Sequence, residues 1–435
     1  MKKSIFLFFI FINLVLMTSY SQDISPEVIP ELPAQYEPKE KKNGFFEKGR
    51  TAFAFGINIG ASASNSYFTI KDFLFNPKGT VDADFDKMSK RLPSSGFAVS
   101  SLANFKIYFD IYIKSKAEFG FFTTADAYAF GNMPKSIINL LAKGNTDDKV
   151  LSGKLTATGS AFAGTGLFYG MKIKDFKFRL SAAYFIPAFY IPYDELTYTM
   201  INGADGKINV AASGTLSVYT PFFFMFGGTG NFDIASIFKK GGADLSLSGS
   251  YSFKPLADLN FSLTNIPILP AVMDKGVTVK LDAGYKIESL FSYLNSIIEG
   301  KPAPEIEQKP NPFVFDTEGK LLKERKIFRP LKLNISSDIF PFSNRYLIIS
   351  PNIGFHMMKP FYVDAGVKIE TNFLKVFGVY YSLALEDRVW KNRGGAFIDL
   401  RLFRLETSIS SASPSFLGSF TGSGLEVGLG LVFGY

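Results

Sequence analysis

Cysteine is absent from all 435 residues, and histidine and tryptophan each occur once. Without thiols there is no disulfide scaffold, thiolate metal centre, cysteine nucleophile or acylated N-terminal cysteine. A single histidine, His356, excludes metal centres built on several imidazoles. It also leaves a serine hydrolase only one base, and Gly354-Phe355-His356-Met357-Met358 offers neither a nucleophile elbow nor an Asp or Asn at a telling offset. His356 therefore reads as an interfacial or lumenal structural residue. Beyond the first 17 residues no apolar run approaches the ~20 residues of a membrane-spanning helix. The formal charge of +8 is mild for this length, and the basic residues do not cluster on a nucleic-acid motif. Asp82, Asp84 and Asp86 alternate like a calcium loop but lack its sixth-position glycine and twelfth-position glutamate, so they suit a solvated face or a helix start. Gly227-Gly228-Thr229-Gly230 lacks the Lys-Ser/Thr and βαβ setting of a phosphate loop. No enzyme, cofactor, metal or nucleic-acid site is expected.

What the chain has instead is 48 Phe, 20 Tyr and 38 Gly. Its last twelve residues show how they are used. Leu425, Val427, Leu429, Leu431, Phe433 and Tyr435 fall on one parity; Gly424, Glu426, Gly428, Gly430, Val432 and Gly434 fall on the other. Side chains alternate across a strand, so one face is a continuous apolar stripe and the other is nearly bare backbone. Large residues turned to lipid and small ones turned to a lumen fit that pattern. The final edge strand of a soluble β protein is the competing reading. The stretch resembles the C-terminal signal of bacterial outer-membrane barrels, a last strand ending in Phe or Tyr. That resemblance implies an assembly signal at Gly428, Leu431, Phe433 and Tyr435, read by the barrel-assembly machinery.

The beginning agrees with the end. Lys2 and Lys3 precede an apolar run from Ile5 to Met17 broken only by Asn13, and Ser19-Tyr20-Ser21 offers small residues for cleavage. Residues 1–21 read as a secretory signal peptide cleaved after Ser21, a retained anchor being the alternative. Cleavage removes two lysines and lowers the charge from +8 to +6. Residues 22–50 carry Pro26, Pro30, Pro33 and Pro38 and read as a periplasmic proline-rich lead-in.

Residues 51–435 then read as one all-β domain, a closed antiparallel transmembrane β-barrel of about 14–16 strands with short helices in its connecting loops. Alternation marks strands at 51–64, 97–113, 117–130, 154–172, 176–188, 207–219, 243–253, 277–287, 331–339, 346–357, 361–370, 376–386, 395–408 and 425–435. Two weaker ones lie at 196–201 and 257–263. Amphipathic helices are expected at 69–75, 83–92 and 133–144, the last with Ile137, Leu140 and Leu141 on one face, and 288–299 looks helical. If the first strand runs outward, the turns at Lys114, Lys174, Gly203, Lys254, Lys359 and Asn392 fall on the periplasmic side and the connections at 65–93, 131–152, 220–242 and 409–423 fall outside. His356 then sits at an inner strand end. The connection 288–329 falls on the inner side, as two hidden strands, a periplasmic flap or an inward plug. Trp390, in Arg388-Val389-Trp390-Lys391-Asn392-Arg393, reads as an interfacial anchor at a basic turn. Hydrocarbon offers no partner for backbone N–H and C=O groups, so a sheet in lipid must close on itself.

Length and strand count are similar to those of the fatty-acid-transporter family and the general porins. Neither the N-terminal hatch motif of the first nor the acidic constriction loop of the second is matched. In style the chain also resembles uncharacterised outer-membrane barrels of spirochaetes and Bacteroidetes, including Asn132-Met133-Pro134-Lys135-Ser136 and Leu400-Arg401-Leu402-Phe403. The resemblances imply a cell outer-membrane location, outer-membrane lipid as surroundings, and a passive or gated channel for small, partly apolar solutes. The alternative is a structural or surface-adhesive barrel with a filled lumen.

Overall fold

The computed structural model describes residues 51–69, 84–113, 116–143, 150–202, 208–221, 234–287, 307–308, 313–316, 322–342, 346–357, 361–373, 376–400 and 402–434. In chain order these form β1 (Thr51–Asn65), α1 (Phe85–Arg91), β2 (Phe97–Ile113), β3 (Ala117–Met133), α2 (Lys135–Lys143), β4 (Val150–Ile173) and β5 (Phe176–Asn202). Next come β6 (Ile208–Tyr219), α3 (Ile234–Lys239), β7 (Gly242–Phe253), β8 (Ala257–Leu269), β9 (Ala271–Met273) and β10 (Gly276–Ile287). The short β11 (Glu307–Gln308), β12 (Phe313–Asp316) and β13 (Arg325–Ile327) precede β14 (Lys332–Ile339), β15 (Leu347–His356) and β16 (Tyr362–Phe373). The chain finishes with β17 (Phe377–Glu386), β18 (Val389–Leu400), β19 (Phe403–Ser413), α4 (Gly418–Thr421) and β20 (Gly424–Gly434).

β1 pairs with β2 on one side and with β20 on the other, from Ala54↔Gly434 to Ser64↔Gly424. That pairing closes a ring running β1-β2-β3-β4-β5-β7-β8-β14-β15-β16-β17-β18-β19-β20, every neighbour antiparallel. It is a 14-stranded closed barrel. The strand number is even, so Thr51 and Gly434 lie at one end, here the terminal end. The hairpins Ile173–Phe176, Phe253–Ala257 and Leu400–Phe403 also turn there. The far end carries the long connections and the helices.

The ring leaves no unpaired edge, and the two faces divide by parity. On β20 Leu425, Val427, Leu429 and Phe433 are exposed, whereas Glu426 and Val432 are buried in the lumen. On β2 Lys106, Tyr108 and Asp110 are buried and the intervening apolar residues face outward. Outward aromatic rings gather towards the terminal end, as in Phe53–Phe109–Phe121 and Phe373–Phe377. An apolar outer band edged by aromatics is what a lipid-facing barrel needs.

Several elements differ from the sequence layout. Segment 196–201 is no separate strand but the continuation of β5, which is 27 residues long. Beyond the register shift between Tyr190 and Leu196, β5 leaves the ring and pairs with β6, β6 pairs with β10, and β10 pairs with β11 and β12. Segments 207–219 and 277–287 thus build an outer sheet rather than barrel wall. The stretch read as one strand at 395–408 is two, β18 and β19, folded back at Leu400–Phe403. The apolar residues Ile398, Leu400, Leu402 and Phe403 hide that turn. Asn392 lies inside β18, paired to Leu383, and is no turn. The β5–β6 and β15–β16 connections, expected on the inner side at Gly203 and Lys359, join strands at the far end, as do the described residues 307–308, 313–316 and 322–329 between β10 and β14. Segment 196–201 continues β5 without reversing, and the single strand β10, read as barrel wall, lies off the ring.

Two of the expected helices are α1 and α2. Asp84 caps α1 by accepting from the Lys87 N–H, which together with the Lys87 ammonium holds the Asp84 carboxyl below its usual range. The helices meet through Met88, Leu92 and Ile138, and Ser89 Oγ donates to Asn139. On α2 Ile138 is buried, whereas Ile137 and Leu140 of the expected apolar face are half-buried. The helices read at 69–75 and 288–299 fall outside the described residues, Thr69 excepted.

Candidate functional site

The lumen is where this fold concentrates its chemistry. Its wall is built from a repeated unit in which an inward aromatic ring lies flat over a glycine directly opposite on the next strand. Tyr108 covers Gly56, Phe122 covers Gly166, Phe168 covers Gly120, Tyr380 covers Gly395 and Phe397 covers Gly378. On β3/β4 and on β17/β18 the relation is reciprocal, each strand giving one ring and one glycine. A cation then sits on the lumenal side of the ring: Arg179 is 4.1 Å from the Phe168 centroid, Arg404 4.3 Å from Phe397 and Lys368 5.4 Å from Tyr380. Each cation is paired in turn, Arg179 with Glu118 at 2.6 Å, Arg404 with Glu406 at 3.2 Å, and Lys368 with Glu370 at 2.9 Å. Such stacking gives an inward cation both an aromatic face and a carboxylate.

Higher in the wall lies a closed quartet of charges. Lys391 reaches Glu386 at 2.8 Å and Glu426 at 2.6 Å; Arg393 reaches the same two carboxylates at 3.0 and 2.5 Å. All four side chains are at most 3% exposed, and their formal charges cancel. Removing one member leaves an uncompensated buried charge.

The far mouth is closed from the side. Glu386 pairs with Val389, so β17 and β18 are joined by the two-residue turn Asp387-Arg388. Both residues have left-handed φ, 48° and 67°, the geometry of a tight hairpin that normally takes Asn or Gly. Asp387 is tied down: Tyr362 donates to its carboxylate at 2.8 Å, and its own N–H donates to Asp364 at 2.9 Å. Burial pushes the Asp387 carboxyl up, but Lys332, His356 and Lys391 outweigh it and hold the group below its usual range. The turn sends Arg388 across the opening, where its guanidinium lies 5.3 Å from the Phe130 ring, 5.2 Å from Tyr362 and 6.0 Å from Tyr193. Phe130 is on β3 and Tyr362 on β16; six strands separate them in either direction round the ring, so they stand on opposite walls. Arg388 spans the lumen between them. Among the described residues no carboxylate comes within salt-bridge distance of it.

The chain returning to β14 lines the same mouth. Arg329 forms a two-pronged bond to Asp244 at 2.6 Å and 2.6 Å and lies over Phe185, while Ile327 is buried beside that ring.

The sequence-predicted residues are dispersed. Gly428 is on the lumenal face of β20, Leu431 and Phe433 are on the outer face with Phe433 against Phe403 at 5.3 Å, and Tyr435 lies outside the described residues. Trp390 is the second residue of β18, on its outward parity, 4.9 Å from Phe416. Of its basic neighbours, Arg388 forms the turn with Asp387, while Lys391 and Arg393 point into the lumen. His356 sits at the far end of β15, not the inner end, stacked on Tyr362 at 3.8 Å and bonded to Asp364 at 2.5 Å. His356, Asp364 and Asp387 bring three ligand-type atoms within 4.8 Å of one another. Sequence reasoning missed Asp364 because it meets His356 across a hairpin rather than at a motif spacing. Arg388 was within reach: Glu386-Asp387-Arg388-Val389 separates two alternating segments and reads as a tight turn.

No family model matches the sequence, and no curated protein matches it. Among solved structures the chain is similar to a deltaS2S3 mutant of the TodX monoaromatic hydrocarbon channel, with 7% identity, 90% of this chain and 91% of that one covered, and a TM-score of 0.38. It is similar to a FadL homologue of Pseudomonas aeruginosa, with 9% identity, 88% and 89% coverage and a TM-score of 0.38. A mutant porin of Rh. blastica gives 7% identity, 89% and 100% coverage and a TM-score of 0.30. Likenesses this distant say nothing of what the lumen holds.

Proposed function

We propose that the protein is an outer-membrane β-barrel, exported by a cleaved signal peptide and inserted by the barrel-assembly machinery, that passes small, partly apolar solutes through a gated lumen. The far end faces the cell exterior. The observation that carries this reading is Arg388, held between Phe130 and Tyr362 on opposite walls, because a single side chain crosses the mouth where a filled core would need none. The wall beneath supports it, being lined by aromatic faces and neutralised charge rather than by one sign of charge, which suits partly apolar solutes better than bare ions. The returning segment through Arg329 acts as an inward plug. A second reading, a structural or adhesive barrel with no transport, is favoured by the fully buried Lys391–Arg393–Glu386–Glu426 quartet, which braces the wall without offering a site. Single-channel conductance in planar bilayers separates them. Deleting residues 134–143, which removes α2, together with Arg388→Gly should turn a closed barrel into an open one. Unchanged silence in that combined variant supports the structural barrel.

A further inference from the structure

We infer that the far mouth is a binding site for small organic cations, and that Arg388 is its resident occupant. The inference rests on the gated-passage reading and gives it a solute class. The site is a cage of rings from three different strands: Phe130 on β3, Tyr193 on β5 and Tyr362 on β16, with His356 stacked behind Tyr362 at 3.8 Å. Rings placed round one point present their negative faces to a cation, and this arrangement takes guanidinium and quaternary ammonium groups. Here the cation is supplied by the chain itself. It is supplied at a cost, from a turn in which neither Asp387 nor Arg388 is glycine although both adopt positive φ.

The charges beside the cage point the same way. Asp387 and Asp364 bring two carboxyls to it, with Lys332, His356 and Lys391 as the other basic groups nearby, Lys391 being already paired with Glu386 and Glu426. When Arg388 swings out, one positive charge leaves while both carboxyls stay, so the vacated cage favours a cation over an anion or a neutral compound. Arg388 is also the one caged group without a fixed partner: Asp387 is tied by Tyr362 and Asp364, whereas among the described residues Arg388 has no ion pair. A solute with a cationic head and a small apolar body replaces it ring for ring.

Calorimetric titration of the purified full-length barrel in detergent tests this, using benzyltrimethylammonium, with benzoate and benzyl alcohol as the anionic and neutral comparisons. Arg388→Ala should bind the cation ~10-fold more tightly than the unaltered protein, on the scale of one cation–π contact set. The comparisons should bind neither form measurably. Arg388→Lys keeps a resident cation and should stay weak, and adding Phe130→Ala or Tyr362→Leu to Arg388→Ala should abolish the gain. Arg388→Gln serves if the alanine variant does not fold. Equal affinity for cation and benzoate, or no gain on removing Arg388, overturns the assignment. Conductance is read separately. Cation binding without any conductance defeats the passage reading and leaves the site standing; conductance without cation preference does the reverse.

Discussion

Phe397 faces Gly378 directly across the β17–β18 ladder, and a Cβ built on Gly378 would come within 2.2 Å of the ring. The ring cannot lift away freely, because the Arg404 guanidinium lies 4.3 Å from its centroid on the other side. Glycine, ring and cation form a stack whose order is fixed by size. Gly378→Ala should therefore destabilise the barrel by about 1–3 kcal/mol, the range for overpacking a well-filled site. Phe397→Leu should relieve much of that loss when combined with it. Urea unfolding of the vesicle-inserted protein, followed by the fluorescence of the single tryptophan, measures the coupling; simple additivity of the two changes would argue against the stack.

The charge quartet predicts a different asymmetry. Glu426→Gln leaves Lys391 and Arg393 sharing one carboxylate and should cost about 3–5 kcal/mol, the range for breaking a buried pair. Combining it with Lys391→Met restores neutrality and should recover most of the stability. A double variant no better than Glu426→Gln alone would show that the four charges do not act as a unit.

Arg388→Gly should open the mouth. Glycine adopts the positive φ of the turn without strain, so the hairpin is kept while the side chain crossing the lumen is lost. In planar bilayers the unaltered barrel should be mostly closed and the variant mostly open. Identical traces from the two would mean that Arg388 does not gate.

At the other end, Phe433→Asp or loss of Tyr435 should lower surface levels of the protein far more than Gly434→Ala. Phe433 lies on the outer face against Phe403, near the terminal rim. A charge facing lipid there costs about 0–1 kcal/mol, compared with about 2–4 kcal/mol at the midplane, so folding energy alone would forecast a mild effect. A large drop in heat-modifiable protein at the surface, with normal refolding in vitro, identifies an assembly signal. Normal surface levels of the truncated chain count against one.

The barrel was legible because parity is local. Phe97–Ile113 appears with the bounds its alternation implies, and the Leu425–Phe433 stripe faces outward as its residue sizes require. What failed was pairing. Leu196–Ile201, Ile208–Tyr219 and Gly276–Ile287 alternate as wall strands do, and nothing in their composition says that they pair above the ring. The single strand β10, taken out of the ring, then inverted the assigned end of His356 and of the connection that follows β10. The mouth was hidden for a related reason. Phe130, Tyr193, Tyr362 and Arg388 are distant in sequence and meet only because the ring brings opposite walls to one opening.

The length of β5 has a mechanical consequence. Its first half is barrel wall beside β7 and its second half is outer sheet beside β6, while β4 stays bonded to it past both. The outer sheet is therefore not hung from the rim by a flexible loop but carried on two continuous beams. A load applied to that sheet, by a bound surface or by flow, passes along β4 and β5 as shear on their shared ladder. It reaches the wall at Phe162 and Phe185, where Arg329 clamps the returning chain. The exterior of this protein is coupled by stiffness to the lumen it covers.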